Sequence, residues 1–132
     1  MIKGVGHIGI AVKDIEETLT SLSKAFDLPM PPIRDISERK LKVCVLEIGG
    51  MGLEIIQDYS EDGVFAKFVK EKGNGIHHIA LLTDRIEVDI EDVMGRGVEM
   101  ADTKPKMGAR GKRIAFTEPG SLSGIQFELS EP

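Results

Sequence analysis

Two histidines and two glutamates carry the first chemical signal in the sequence. His7 opens HIGIAVKDIE and His78 opens HIALLTDRIE. The two stretches coincide without a gap at the histidine, the next isoleucine, the later isoleucine and the glutamate, at an offset of 71 residues. Glu54 closes GMGLE and Glu128 closes GIQFE, at an offset of 74 residues. Imidazole nitrogens and carboxylate oxygens together are ligands for a divalent cation, and two of each suit Zn, Ni, Co, Mn or Fe. Taken singly, a strand histidine is ordinarily a hydrogen-bonded core residue and a lone glutamate ordinarily faces water. As a set related by a repeat, His7, Glu54, His78 and Glu128 point to one metal centre.

Two matches in the same order at nearly equal offsets mark a duplicated module. Each copy reads as strand, helix, then further strands. In the first copy, residues 5–12 form a strand. Asp14 and Glu17 give a helix-capping D-x-x-E signal. Ile15, Leu19, Leu22 and Phe26 then line one helix face, and Leu28-Pro29 ends the helix. Residues 29–40 read as a loop, and 41–48 with 52–57 as a hairpin around Gly49-Gly50. A short linking helix over 64–72 is expected to bury Phe65 and Phe68 and to end at Gly73. The second copy predicts a strand at 76–83 and a helix through Ile86, Ile90 and Val93 that stops near Gly95 and Gly97. Further strands are expected at 98–101, 112–117 and 124–130.

Side chains alternate faces along a strand. Ile8, Ile10 and Val12 therefore share one face, set against the helix, while His7 shares the other with Gly9 and Ala11. Small neighbours leave room for a ligand beside the imidazole. His78 likewise shares a face with Ala80, opposite Ile79 and Leu81. Glu54 points away from Leu53 and Ile55, and Glu128 away from Phe127 and Leu129. A carboxylate is costly to bury in such a strand without a partner, and a cation is one. His77 falls on the face opposite His78 and reads as structural.

The remaining properties narrow the classes. The chain has 132 residues, 41% hydrophobic and 30% charged, the size of a single domain with a real core. A net charge of −5 argues against nucleic-acid binding. One cysteine, Cys44, cannot form an intrachain disulfide, so a reducing cytoplasm is the expected compartment. The start of the chain does not read as a signal peptide, and no apolar run has membrane-spanning length.

Four stretches carry a resemblance to a known family: GHIGIAVKDIE, VFAKFVKEKGNGIHHIA, KPKMGARGKRIAFTEP and GIQFEL. They resemble the vicinal oxygen chelate superfamily over essentially the whole chain. Within it the sequence is most similar to the methylmalonyl-CoA epimerases, and the second and third stretches are the more specific. The resemblance implies an α+β fold. Two βαβββ modules would form a cupped, partly closed mixed-sheet barrel with helices outside. The single domain would span 1–132, with module 1 at about 4–60, the linking helix at about 63–73 and module 2 at about 74–131. The resemblance also implies His7, Glu54, His78 and Glu128 as ligands of one divalent ion (Co2+, Zn2+, Ni2+ or Mn2+), and a homodimer.

The implied reaction is epimerisation of methylmalonyl-CoA through α-proton abstraction and a metal-bound enediolate. Glu128 would be the leading base and Glu54 its partner. Some epimerases have a second catalytic glutamate near the position of Val43, which is not acidic here. Either Glu47 or another group would serve instead. Lys104, Lys106, Arg110 and Lys112, together with Arg113, form a basic glycine-bearing segment. It suits the phosphates of coenzyme A or a substrate carboxylate. A glyoxalase I-type lactoylglutathione lyase would use the same ligands, and a non-catalytic small-molecule-binding member is the third reading. The expected partner is a small acyl thioester, with no nucleic acid and no membrane.

Overall fold

The computed structural model describes every residue from Met1 to Pro132. The elements run β1 (Ile2–Ala11), α1 (Ile15–Phe26), β2 (Arg34–Ile36), β3 (Leu41–Ile48), β4 (Met51–Asp58) and α2 (Val64–Lys72). They continue as β5 (Gly75–Thr83), α3 (Ile86–Gly95), β6 (Lys106–Met107), β7 (Arg113–Phe116) and β8 (Phe127–Ser130). Apart from α2 this is a strand, a helix and three strands, twice over. The chain divides into two compact units. One is Gly9–His77, and the other is Met1–Ile8 with His78–Pro132. β1 and β5 run through both.

In the unit 9–77 the strand order is β2-β3-β4-β1. Gly49 and Gly50 turn the β3–β4 hairpin with φ of 58° and 83°. Two consecutive left-handed residues are what a tight hairpin turn demands, and glycine supplies them without strain. Asp14 caps α1 by accepting from the Glu17 N–H at 3.1 Å. Ile15 and Leu19, one turn apart, pack with Val12, Cys44, Leu46 and Ile55, and Ile10, Leu22 and Leu53 close the margin. Phe26 departs from the expected stripe: it is 69% exposed, in the last helical turn before Asp27 goes left-handed at φ 53°. α2 ends as expected at Gly73, whose N–H bonds the Val69 carbonyl at 2.8 Å. Its buried residue is Ala66, while Phe65 and Phe68 are only half-buried, against the ring of His77. The expected loop 29–40 contains β2, paired to β3 with Arg34 opposite Val43, followed by a short 3-10 turn. Three residues without alternation gave no strand signal.

In the other unit the order is β1-β5-β8-β7-β6. β5 and β8 are parallel and β8, β7 and β6 antiparallel, so the sheet is mixed. Ile86 and Ile90 of α3 pack on Met100, Ala115 and Leu129, with Leu81 and Val93 at the edge. The strand expected at 98–101 is only a bridge from Met100 to Thr117. Ala101 and Asp102 both donate to the single Phe116 carbonyl, which ends the ladder there. β8 begins at Phe127 rather than at 124, because the Ile125 N–H is spent in a turn to the Leu122 carbonyl. Buried Asp89 on α3 accepts the Thr83 hydroxyl and ties down the N-terminal ammonium of Met1 at 3.0 Å. No helix is long and apolar enough to cross a membrane.

Candidate metal centre

Alternation along β1 buries His7, Gly9 and Ala11 and leaves Ile8 and Ile10 half-buried. On β5, His78 and Ala80 are buried while Leu81 turns to the α3 core. The parallel pairing of β5 with β8 puts Ala80 opposite Glu128, so the carboxylate comes up beside the His78 face. His7, His78 and Glu128 are 2–3% exposed. Their donor atoms converge. His7 Nε2 is 3.2 Å from His78 Nε2, His7 Nε2 is 3.5 Å from Glu128 Oε1, and His78 Nε2 is 3.5 Å from Glu128 Oε2.

These spacings test the fit of a cation. Nitrogen and oxygen ligands lie about 2.0–2.2 Å from a zinc-sized ion, so neighbouring ligands around one centre are roughly 3–3.5 Å apart. The three observed separations fall in that range. A ligating histidine must also be neutral. Burial, helped by the Arg110 charge, lowers the His7 pKa to about 4. The donor set therefore fits a divalent ion in type and spacing, and His7 is held neutral.

Arg110 adds a constraint. Its Nη1 lies 3.0 Å from His7 Nδ1. A guanidinium only donates, so His7 Nδ1 accepts and the proton of the neutral ring sits on Nε2, facing His78. The ring of Phe116, on β7, meets the His78 ring edge to face at 5.1 Å. Its position follows from register, because Phe116 pairs with Glu128 across β7 and β8. Sequence reasoning did not single out this residue.

Glu54 lies in the unit 9–77 and is buried, 5% exposed. Leu53 and Ile55 point to the α1 core, and Glu54 takes the other face. Val45 stands directly opposite it, and Val43 stands opposite Ile56 on that same face. Glu47, opposite Gly52, is exposed at the end of β3. His7, Glu54 and His78 are thus all buried residues of metal-ligating type.

The basic segment separates into individual fates. Arg110 reaches His7. Lys106 pairs with Asp102 at 3.1 Å and lies over the Phe116 ring at 5.4 Å. Lys104 and Lys112 are exposed. Arg113 turns to Glu87 and Glu131. His77 stays on the face away from His78, between Phe65 and Phe68 at 4.7 and 5.1 Å. Burial, with Lys72 nearby, lowers its pKa to about 4.

Comparison with known proteins extends the picture. The model of the Glyoxalase/Bleomycin resistance protein/Dioxygenase superfamily matches residues 6–116. An uncharacterized protein of Bacillus subtilis, YqjC, is 32% identical over 126 residues, covering 96% of this chain and 90% of that one. An ethylmalonyl-CoA/methylmalonyl-CoA epimerase of Cereibacter sphaeroides is 25% identical over 133 residues, covering 99% of each. Among solved structures, a methylmalonyl-CoA epimerase in complex with methylmalonyl-CoA and ammonium superposes with a TM-score of 0.90 at 26% identity, covering 99% of this chain and 95% of that one. Duplicated modules, converging buried donors and these likenesses agree, and the chain belongs to the Glyoxalase/Bleomycin resistance protein/Dioxygenase superfamily.

Proposed function

We propose that this protein is a metal-dependent epimerase of methylmalonyl-CoA or a closely related acyl thioester. The observation that carries this reading is the convergence of His7, His78 and Glu128, three buried donors 3.2–3.5 Å apart. Glu54 is taken as the fourth ligand, on its repeat relationship to Glu128 and its burial. The likeness to proteins named as epimerases supplies the substrate class.

When bound, a divalent cation would polarise the thioester carbonyl and offset the negative charge that builds on its oxygen. Glu128 serves as the leading base. Its two oxygens are divided between the two histidines, so one can keep the carboxylate oriented while the other receives the α-proton. The electron pair of the broken C–H bond moves toward the carbonyl. Returning a proton to the opposite face inverts the centre, and Glu54 is the group proposed for it. Val43 and Val45 on the Glu54 face are apolar, and Glu47 is exposed, so neither valine can act as an acid and Glu47 reaches toward water. Lys104, Lys106 and Lys112 are proposed to hold the coenzyme A phosphates. The working form is taken to be a cytoplasmic homodimer, on the resemblance and on the single, buried Cys44.

The test is solvent deuterium incorporation at the α-carbon of methylmalonyl-CoA, with metal analysis of the same sample. A hemithioacetal of glutathione is run in parallel. Exchange that follows metal content supports the reading. Metal-loaded protein that turns over the hemithioacetal and leaves methylmalonyl-CoA unexchanged would make it a lyase instead.

A further inference from the structure

β7 ends at Phe116, which stands opposite Glu128 of β8. On the other side of β7, β6 pairs only with Arg113 and Ile114, so no strand covers the outward groups of Phe116. Residues 101–102 take the place of that strand. The Phe116 carbonyl accepts from the Ala101 and Asp102 N–H groups at 2.9 and 3.2 Å, and the Phe116 N–H donates to Asp102 Oδ2 at 2.9 Å. Asp102 Oδ1 pairs with the Lys106 ammonium at 3.1 Å, and that ammonium lies 5.4 Å from the centre of the Phe116 ring. One carboxylate thus fixes the Phe116 peptide directly and sets a cation over its ring.

The clamped ring lies against a proposed ligand. Phe116 meets the His78 imidazole edge to face, at 5.1 Å and 85°. That arrangement has a preferred geometry, because the positive edge of one ring faces the negative face of the other. Phe116 is 9% exposed and His78 2%, so little water reaches the contact. An imidazole meets a cation well only when its plane is turned toward it. Groups outside the coordination shell set that plane, and losing one costs about 10–100-fold in metal affinity.

We infer that Asp102 and Phe116 act as one positioning device for the metal centre: Asp102 clamps the Phe116 peptide at the open end of β7, and the Phe116 ring holds the plane of the His78 imidazole. The inference rests on the metal-centre reading proposed above. It adds two residues that belong neither to the donor set nor to the proton-transfer pair.

The experiment compares the wild type with Phe116→Leu, Asp102→Ala and Asp102→Asn, the last of which keeps an oxygen acceptor for the Phe116 N–H. In metal-free protein, proton NMR follows the His78 ring, assigned by its loss in His78→Ala. Its resonances are expected to carry a ring-current displacement that vanishes in Phe116→Leu, shrinks in Asp102→Ala and survives in Asp102→Asn. Each protein is then titrated with Co2+ and followed by visible absorption. Phe116→Leu and Asp102→Ala are expected to bind about tenfold more weakly with an altered cobalt band, and Asp102→Asn to stay within about threefold of the wild type. A urea curve on each reports fold stability separately. Asp102→Ala that is less stable yet keeps the wild-type His78 resonances, cobalt band and Kd has only a structural role, and overturns the inference. So does Phe116→Leu with unchanged cobalt binding. Asp102→Glu keeps the charge but displaces the acceptor by one methylene; it is expected to behave as Asp102→Ala does, and decides the question if Asp102→Ala fails to fold. Wild type that binds no Co2+ overturns the metal-centre reading and this inference with it, whereas bound Co2+ without α-proton exchange of methylmalonyl-CoA overturns the epimerase assignment alone.

Discussion

The Nε2 atoms of His7 and His78 lie 3.2 Å apart, with their rings nearly perpendicular at 85°. Two neutral imidazoles at that distance share one proton between two lone pairs, or share a cation. Removing either ring leaves the other with one fewer partner and the centre with one fewer donor. His78→Ala is expected to weaken Co2+ binding at least about a hundredfold, and to do so while the cooperative unfolding transition survives. Cobalt titration paired with a urea curve checks both halves of that statement.

Glu128→Gln changes charge and basicity with almost no change of shape. The α-proton exchange rate is expected to fall by about 10²-fold or more, while residual cation binding persists through the histidines. Exchange measured at saturating metal separates the two effects. Full exchange in that variant would remove Glu128 from the role of base.

Metal should stabilise the folded chain by mass action, since the converging donors exist only in the native state. A cation present at about a hundred times its dissociation constant adds about 2.7 kcal/mol. The expected result is a rise of several degrees in Tm on adding Co2+ or Zn2+, reversed by a chelator. A Tm indifferent to both would argue that no cation binds at this cluster.

Asp89 sets a pH dependence away from the metal centre. Burial pushes its pKa up, but the Thr83 hydroxyl and the N-terminal ammonium, with Arg85, outweigh it, and the net shift is downward. A carboxyl lowered in the folded state contributes stability that is present above its unfolded pKa and is lost as pH falls through the folded value. Urea midpoints are therefore expected to fall as pH drops through the acidic carboxylate range. Asp89→Asn should flatten part of that slope and cost about 1–3 kcal/mol at neutral pH. N-terminal acetylation should reproduce a fraction of the loss.

Much of the centre was legible because it depends on strand alternation and a repeat. His7 and His78 fall on small-residue faces, and Leu53, Ile55 and Leu129 show which side of β4 and β8 meets a core. Those are local properties. Phe116 on His78 was not legible, since it requires the register of β7 on β8. The Arg110–His7 contact was not legible either. A cluster of cations says that something anionic is welcome, but which one turns inward is decided by the hydrogen bonds of the Gly108–Gly111 turn. β2 escaped notice because three residues carry no period, and Phe26 misled because helical spacing continues past the point where the core ends.

The boundary between the compact units has a consequence for how the site is assembled. Met1–Ile8 belongs with His78–Pro132, so the unit that brings His7, His78 and Glu128 together is made from both ends of the polypeptide. A chain cut at Gly73 would turn the meeting of the two imidazoles into an encounter between separate molecules. The covalent tether through residues 9–77 makes that encounter intramolecular, and so keeps the effective concentration of one histidine at the other high at any dilution.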